Sequence, residues 1–167
     1  MVSTQTTRWT YSICLAVMLA GGFAAGVAHA EFNFKRYRPY SLGQAIADHS
    51  HGERADWVIE AGSFKYRVRV TYTGEQREIK ASVKDLISKW VKSLGLNPKL
   101  LTLFKHEILV REGSGQYWLP IQEQLLPHVA RELRVGGPVD LYVMHVGSTK
   151  TELVFIVNEF QARRVTK

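Results

Sequence analysis

Between Phe64 and Thr73 apolar and polar positions alternate without a break. Phe64, Tyr66, Val68 and Val70 fall on one side; Lys65, Arg67, Arg69 and Thr71 fall on the other. A period of two with one charged side predicts a half-buried antiparallel strand. Gly74-Glu75 is the expected turn into a partner over residues 76–80. Trp57-Val58-Ile59 reads as a shorter strand ahead of it.

The period then lengthens. Val83, Leu86, Ile87, Trp90, Val91 and Leu94 recur at the spacing that lines one face of a helix, which predicts a helix over Ser82 to Leu94. Ser82 and Asp85 are spaced as a capping box. Gly95 suits the left-handed residue that ends a helix, and Asn97-Pro98 bars its continuation. Burying such a face is worth roughly 9–18 kcal/mol gross. Ordering the residues costs about as much, so this helix must pack on a sheet.

Leu101 to Arg111 is the next expected strand. A turn over residues 112–115 leads into Gln116 to Ile121, where Pro120 marks an edge or a strand end. Glu123 to Arg134 reads as a helix that Pro127 either starts late, near Leu126, or kinks. Val139 to Val146 and Thr151 to Asn158 are nearly continuous in apolar character and form a last hairpin. Ahead of all these, residues 31–40 are an aromatic-basic arm. Ser41 and Gln44 begin a short helix that runs to about His49.

The order predicts an α+β fold with a mainly antiparallel sheet of five or six strands, two main helices and a short N-terminal helix. The hairpin–helix–hairpin order of the second half fits a partly closed OB-like barrel, and an open α+β sandwich fits almost as well. The domain is expected over residues 56–160. The arm and short helix occupy 31–55, and a basic tail occupies 161–167.

The first thirty residues are of another kind. A polar start with one cation, Arg8, precedes an apolar run from Trp9 to Val27, and Ala28-His29-Ala30 follows it. This is the layout of a secretory signal peptide cut before Glu31. The alternative is an uncleaved anchor, since the run is about long enough to span a bilayer. Cleavage predicts a periplasmic or secreted protein with no remaining transmembrane span. It also removes Cys14, the single cysteine. Disulfides, thiolate metal sites and a cysteine nucleophile are then excluded.

The formal net charge is +7. Such a balance favours anionic partners, although it also serves solubility. Lys65, Arg67 and Arg69 form a cationic stripe, and Lys35, Arg36 and Arg38 sit among the aromatics of the arm. Cations interleaved with aromatics suit a polyanion; a solvated edge strand is the plainer reading. Tyr117 and Trp118 are either a partner-binding anchor or part of the core.

Chemistry is harder to find. Asp48-His49-Ser50-His51-Gly52-Glu53 is the densest group of potential ligands, with His49 and His51 as candidate metal ligands. A solvated loop is the alternative. His106 and His145 lie on expected strands and would meet if those strands paired, with Asp140 and Glu107 available to orient them. Core packing is the plainer role for both. Gly147-Ser148-Thr149-Lys150 lacks the frame of a phosphate-binding loop. No motif calls for a cofactor or names a reaction.

The expectation is therefore a non-catalytic binding or accessory module of the cell envelope. Its partner would be an envelope protein, or an anionic polymer or lipid headgroup held by the basic face. Intracellular nucleic acid does not fit the address. A metal-assisted hydrolase using His49 and His51 is the remaining alternative.

Overall fold

The computed structural model describes residues 32–50, 56–62 and 64–163. The expected signal segment with Cys14, the stretch carrying His51 and Glu53, and residues 164–167 lie outside these. The chain divides into two units, Met1–Lys35 and Arg36–Lys167. In the first, Phe32 and Phe34 meet edge to face at 4.8 Å.

Among its described residues the second unit has seven strands, joined in one sheet system, and three α-helices. In chain order these are β1 (Arg38–Tyr40), α1 (Leu42–His49), β2 (Trp57–Ile59), β3 (Lys65–Glu78), α2 (Ala81–Ser93), β4 (Phe104–Glu112), β5 (Gly115–Gln122), α3 (Leu126–Glu132), β6 (Pro138–Thr149) and β7 (Leu153–Ala162). Five of the strands run β3-β4-β5-β7-β6, and β6 pairs back onto β3. The result is a closed barrel with OB-like connectivity, which decides between barrel and open sandwich. The short strands β1 and β2 extend the sheet, β1 parallel to β3 and β2 antiparallel to β6. No helix among the described residues is long and apolar enough to cross a membrane.

The expected hairpin at Gly74-Glu75 does not form. β3 runs through it as one strand of 14 residues. Gly74 has φ 89°, and the register against β4 slips between Tyr72 and Gln76. The glycine therefore makes a bulge, which bends the strand where a turn would have reversed it. The bend lets one strand serve two partners: Lys65 to Thr71 pair with β6, and the far half pairs with β4.

Pro120 lies inside a barrel strand. β5 has its full ladder with β4, but meets β7 only at Ile121↔Val157. A residue without an N–H is tolerated beside so sparse a seam.

Two cores result. Tyr66, Val68, Val70, Ile108, Val110, Leu141, Val143 and Val157 fill the barrel; α1 inserts Leu42 and Ala45, α3 inserts Val129, and the 3-10 turn before α3 inserts Leu125. The second core lies outside the barrel wall. There α2 lays Val83, Leu86, Ile87, Trp90 and Val91 against Val146, Val154 and Ile156. The apolar face of α2 is as its period predicts, except that Leu94 is the C-cap and is exposed. Its start is not. Lys80 is the N-cap, so Ser82 lies inside the first turn and the Ser82–Asp85 capping box is not formed; Asp85 pairs instead with Lys89 one turn on.

At α1 the Ser41 hydroxyl accepts the Gln44 amide at 3.2 Å, but Gln44 turns its side chain to Asp48. A carboxylate from β4 caps the next amides instead. The Glu112 carboxylate accepts the amides of Leu42 and Gly43 at 2.9 and 2.8 Å and the Ser41 hydroxyl at 2.8 Å. A carboxylate at a helix N-terminus meets both its unpaired amides and its dipole.

Candidate functional site

Glu112 holds the start of α1 at the β4–β5 hairpin, and the helix ends at His49. There the imidazole meets Phe64 edge-on with centroids 4.8 Å apart and lies 4.1 Å from the ring of His145. Its Nε2 is 2.9 Å from the Tyr66 hydroxyl oxygen, to which Arg38 also donates at 3.2 Å. Arg38 in turn lies 4.8 Å from the ring centres of both Tyr40 and Tyr66. The Tyr40 hydroxyl donates to Asp48 at 2.6 Å. That bond and the one from Gln44 hold the Asp48 carboxyl below its ordinary pKa.

His145 reaches the cluster from β6. It stands just before a bulge, where the register against β7 slips between His145 and Gly147. Gly147 has φ 142°, and a Cβ there would lie 2.1 Å from the Val58 carbonyl oxygen. Only glycine admits β2 this closely. The approach has a consequence one residue past β2: the Glu60 amide bonds the Val146 carbonyl at 3.1 Å. The Glu60 carboxylate is thereby brought to His145, with Oε2 3.9 Å from Nδ1. Its other oxygen accepts the Gly62 amide at 2.7 Å.

His145 is only 4% exposed, and neither ring nitrogen has a hydrogen-bond partner among the described residues. Burial, and then the charge of His49, lower its pKa to about 4, against an opposing polar contact with the Gly147 backbone that is too poorly placed to be a hydrogen bond. It is neutral at physiological pH. One donor atom each from His49, Glu60 and His145 lies within 4.8 Å of the others. Two imidazoles and a carboxylate are donors that bind divalent transition metals.

The other candidates are dispersed. Lys65, Arg67 and Arg69 project from the outer side of β3, opposite Met144, Tyr142 and Asp140. Arg69 bonds Asp140 at 3.0 Å, and Arg163 bonds the other oxygen at 2.9 Å. Burial pushes the Asp140 carboxyl up, but the two arginines outweigh it and leave it below the usual range. Burial and the charge of Arg36 lower the pKa of Lys65. Among the described residues, no carboxylate pairs with Arg36, Lys65 or Arg67 within 4.0 Å. Arg38 is committed to its two tyrosines, and Lys35 lies exposed in the other unit.

Trp118 is half-buried beneath Arg77, whose guanidinium is 3.9 Å from the ring and also bonds Glu107. Tyr117 packs against the barrel core. β4 and β6 are not neighbours, so His106 does not meet His145; it bonds Glu123 at 2.8 Å. Asp140 and Glu107 are occupied by arginines and orient neither histidine. In the segment 147–150, which has no phosphate-loop frame, Gly147 to Thr149 are the end of β6, and Thr149 closes the turn through Glu152.

The structure thus brings His49 to His145 and Glu60. His51 lies outside the described residues. Glu60 carries no sequence signal, being a lone carboxylate after a short strand. His145 reads from sequence as a core residue, and only the bulge and the ring against it mark it as more.

Fold and site together define an OB-like barrel with a two-histidine, one-carboxylate cluster beneath its first helix. No protein-family model, curated protein or solved structure matches the chain.

Proposed function

We propose that this protein is a non-catalytic binding module of the cell envelope. It works in the periplasm or as a secreted protein, and its ligand is an anionic polymer or lipid headgroup held on the outer side of β3. The observation that carries the reading is the unbalanced charge there. Lys65, Arg67 and Arg69 follow one another along this side, with Arg36 near Lys65 and Arg163 on Asp140, the one carboxylate that pairs with any of the five among the described residues. Lys65 is destabilised as a cation by burial first and then by the like charge of Arg36. An anion relieves that repulsion. The leader-like first thirty residues support export, and the absence of any catalytic motif supports binding over turnover.

The test is titration with heparin and with phosphatidylglycerol vesicles over a range of salt. Affinity is expected to fall steeply with salt. Replacing Arg36, Lys65 and Arg67 together by glutamine should flatten the log–log slope by roughly 0.7–0.9 for each anionic group no longer neutralised. Arg69 is left in place, because removing it would strip a partner from a buried carboxylate. Equal affinity and slope in the two proteins would remove the basic face from consideration.

A further inference from the structure

We propose that His49, His145 and Glu60 form a site for one divalent transition metal of the zinc class, on the inner side of the wall whose outer side carries the basic stripe. The site does not depend on anion binding, and the two proposals stand or fall separately.

Three observations converge. The first is the donor set. Bonds of about 2.0–2.1 Å at a tetrahedral angle place ligand atoms about 3.4 Å apart. Here Nδ1 of His145 and Oε2 of Glu60 are 3.9 Å apart, and all three donors lie within 4.8 Å. Small rotations of the half-exposed Glu60 and His49 bridge the difference.

The second is His145 itself. A buried imidazole with no partner for either nitrogen is less stable than an apolar side chain of the same shape. Phe155, opposite it in the ladder, and Phe64, against His49, wall the space with carbon. Salt-bridging to Glu60 does not account for it, since 3.9 Å is too long for a hydrogen bond. A metal ion takes the lone pair of one of the two nitrogens.

The third is the support around the ligands. Glu60 Oε1 is held by the Gly62 amide, which leaves Oε2 turned to His145. His49 Nε2 is engaged by Tyr66, and Tyr66 by Arg38. Outer hydrogen bonds of this kind orient the imidazoles and carboxylates of metal sites. Three protein ligands leave at least one position for water or a small anion.

The experiment uses the untagged protein, stripped with a chelator and reloaded with zinc. Metal content is read by mass spectrometry, and cobalt(II) reports the geometry through its visible absorption. One ion per chain and a cobalt spectrum of low coordination number are expected. Glu60→Gln, on the half-exposed side, and His145→Gln should each weaken zinc binding by at least about 100-fold, since even outer partners are worth roughly 10–100-fold. His145→Leu, which fills the same space with carbon, should fold without metal and bind none. His106→Gln with His128→Gln should bind as the parent does. The proposal is overturned if the parent protein retains no metal, if the Glu60 and His145 variants bind as tightly as it does, or if the His106/His128 control loses binding.

Discussion

Replacing Glu159 by glutamine should stabilise the protein at alkaline pH and leave it almost unchanged in acid. Glu159 stands on β7 opposite Tyr142 and is 8% exposed. Its Oε1 accepts the amide of Phe160 at 2.9 Å, which favours the ionised form. Burial opposes that more strongly, Glu132 adds a like charge, and the pKa rises from 4.5 to about 7. The folded state therefore holds a proton that the unfolded chain has already released between those values. Below pH 4.5 both states are protonated and burial of the neutral acid carries no ionisation cost. As pH rises through about 7 the folded form must ionise in place, and stability is lost. At about 1.4 kcal/mol per pH unit the full loss is roughly 3 kcal/mol. Glutamine keeps the shape and the acceptor for Phe160 but never ionises. Urea unfolding of both proteins at pH 4 and pH 8 measures the difference directly. Asp140, whose lowered pKa makes its contribution vanish in acid, cancels because both proteins carry it. An equal effect of the substitution at the two pH values, or a variant less stable at pH 8, would refute the reasoning.

The remaining predictions concern packing. Trp90→Ala empties the centre of the core beneath α2 and should cost about 3–5 kcal/mol in urea unfolding, with the interior of the barrel unaffected. Gly147→Ala sets a Cβ against the Val58 carbonyl and demands a φ that alanine avoids; a loss of more than about 3 kcal/mol is expected. Hydrogen exchange should locate that loss in β2 and at Glu60. The salt dependence of anion binding and the zinc content of the Glu60 and His145 variants complete the set.

What could be read in advance followed from local periodicity. The alternation in β3 and the helical stripe of α2 each report a face turned to the core, so their elements and buried residues emerge from the chain alone. Barrel closure does not emerge in that way, because pairing of β3 with β6 joins segments that carry no mark of one another. Gly74 shows the limit clearly. A glycine followed by a polar residue signals a reversal as well as it signals a bulge, and only the identity of the next partner decides. The Ser82–Asp85 spacing misled because the helix starts at Ala81, which puts Ser82 inside its first turn rather than at the cap. Within the histidine cluster, His49 was visible as a potential ligand. Its neighbours were not, since His145 follows it by almost a hundred residues and Glu60 arrives through backbone pairing between β2 and a bulge.

The way α1 is anchored also sets an order of events. Its N-terminus rests on Glu112 and its last residue on His145, both of which are made long after the helix itself. With 8 residues α1 is too short to persist alone in water. The first helix of the barrel unit in chain order is thus among the last of its elements to find its place. Until β6 arrives, Leu42 and Ala45 have no barrel to enter, and His49 waits unaccompanied.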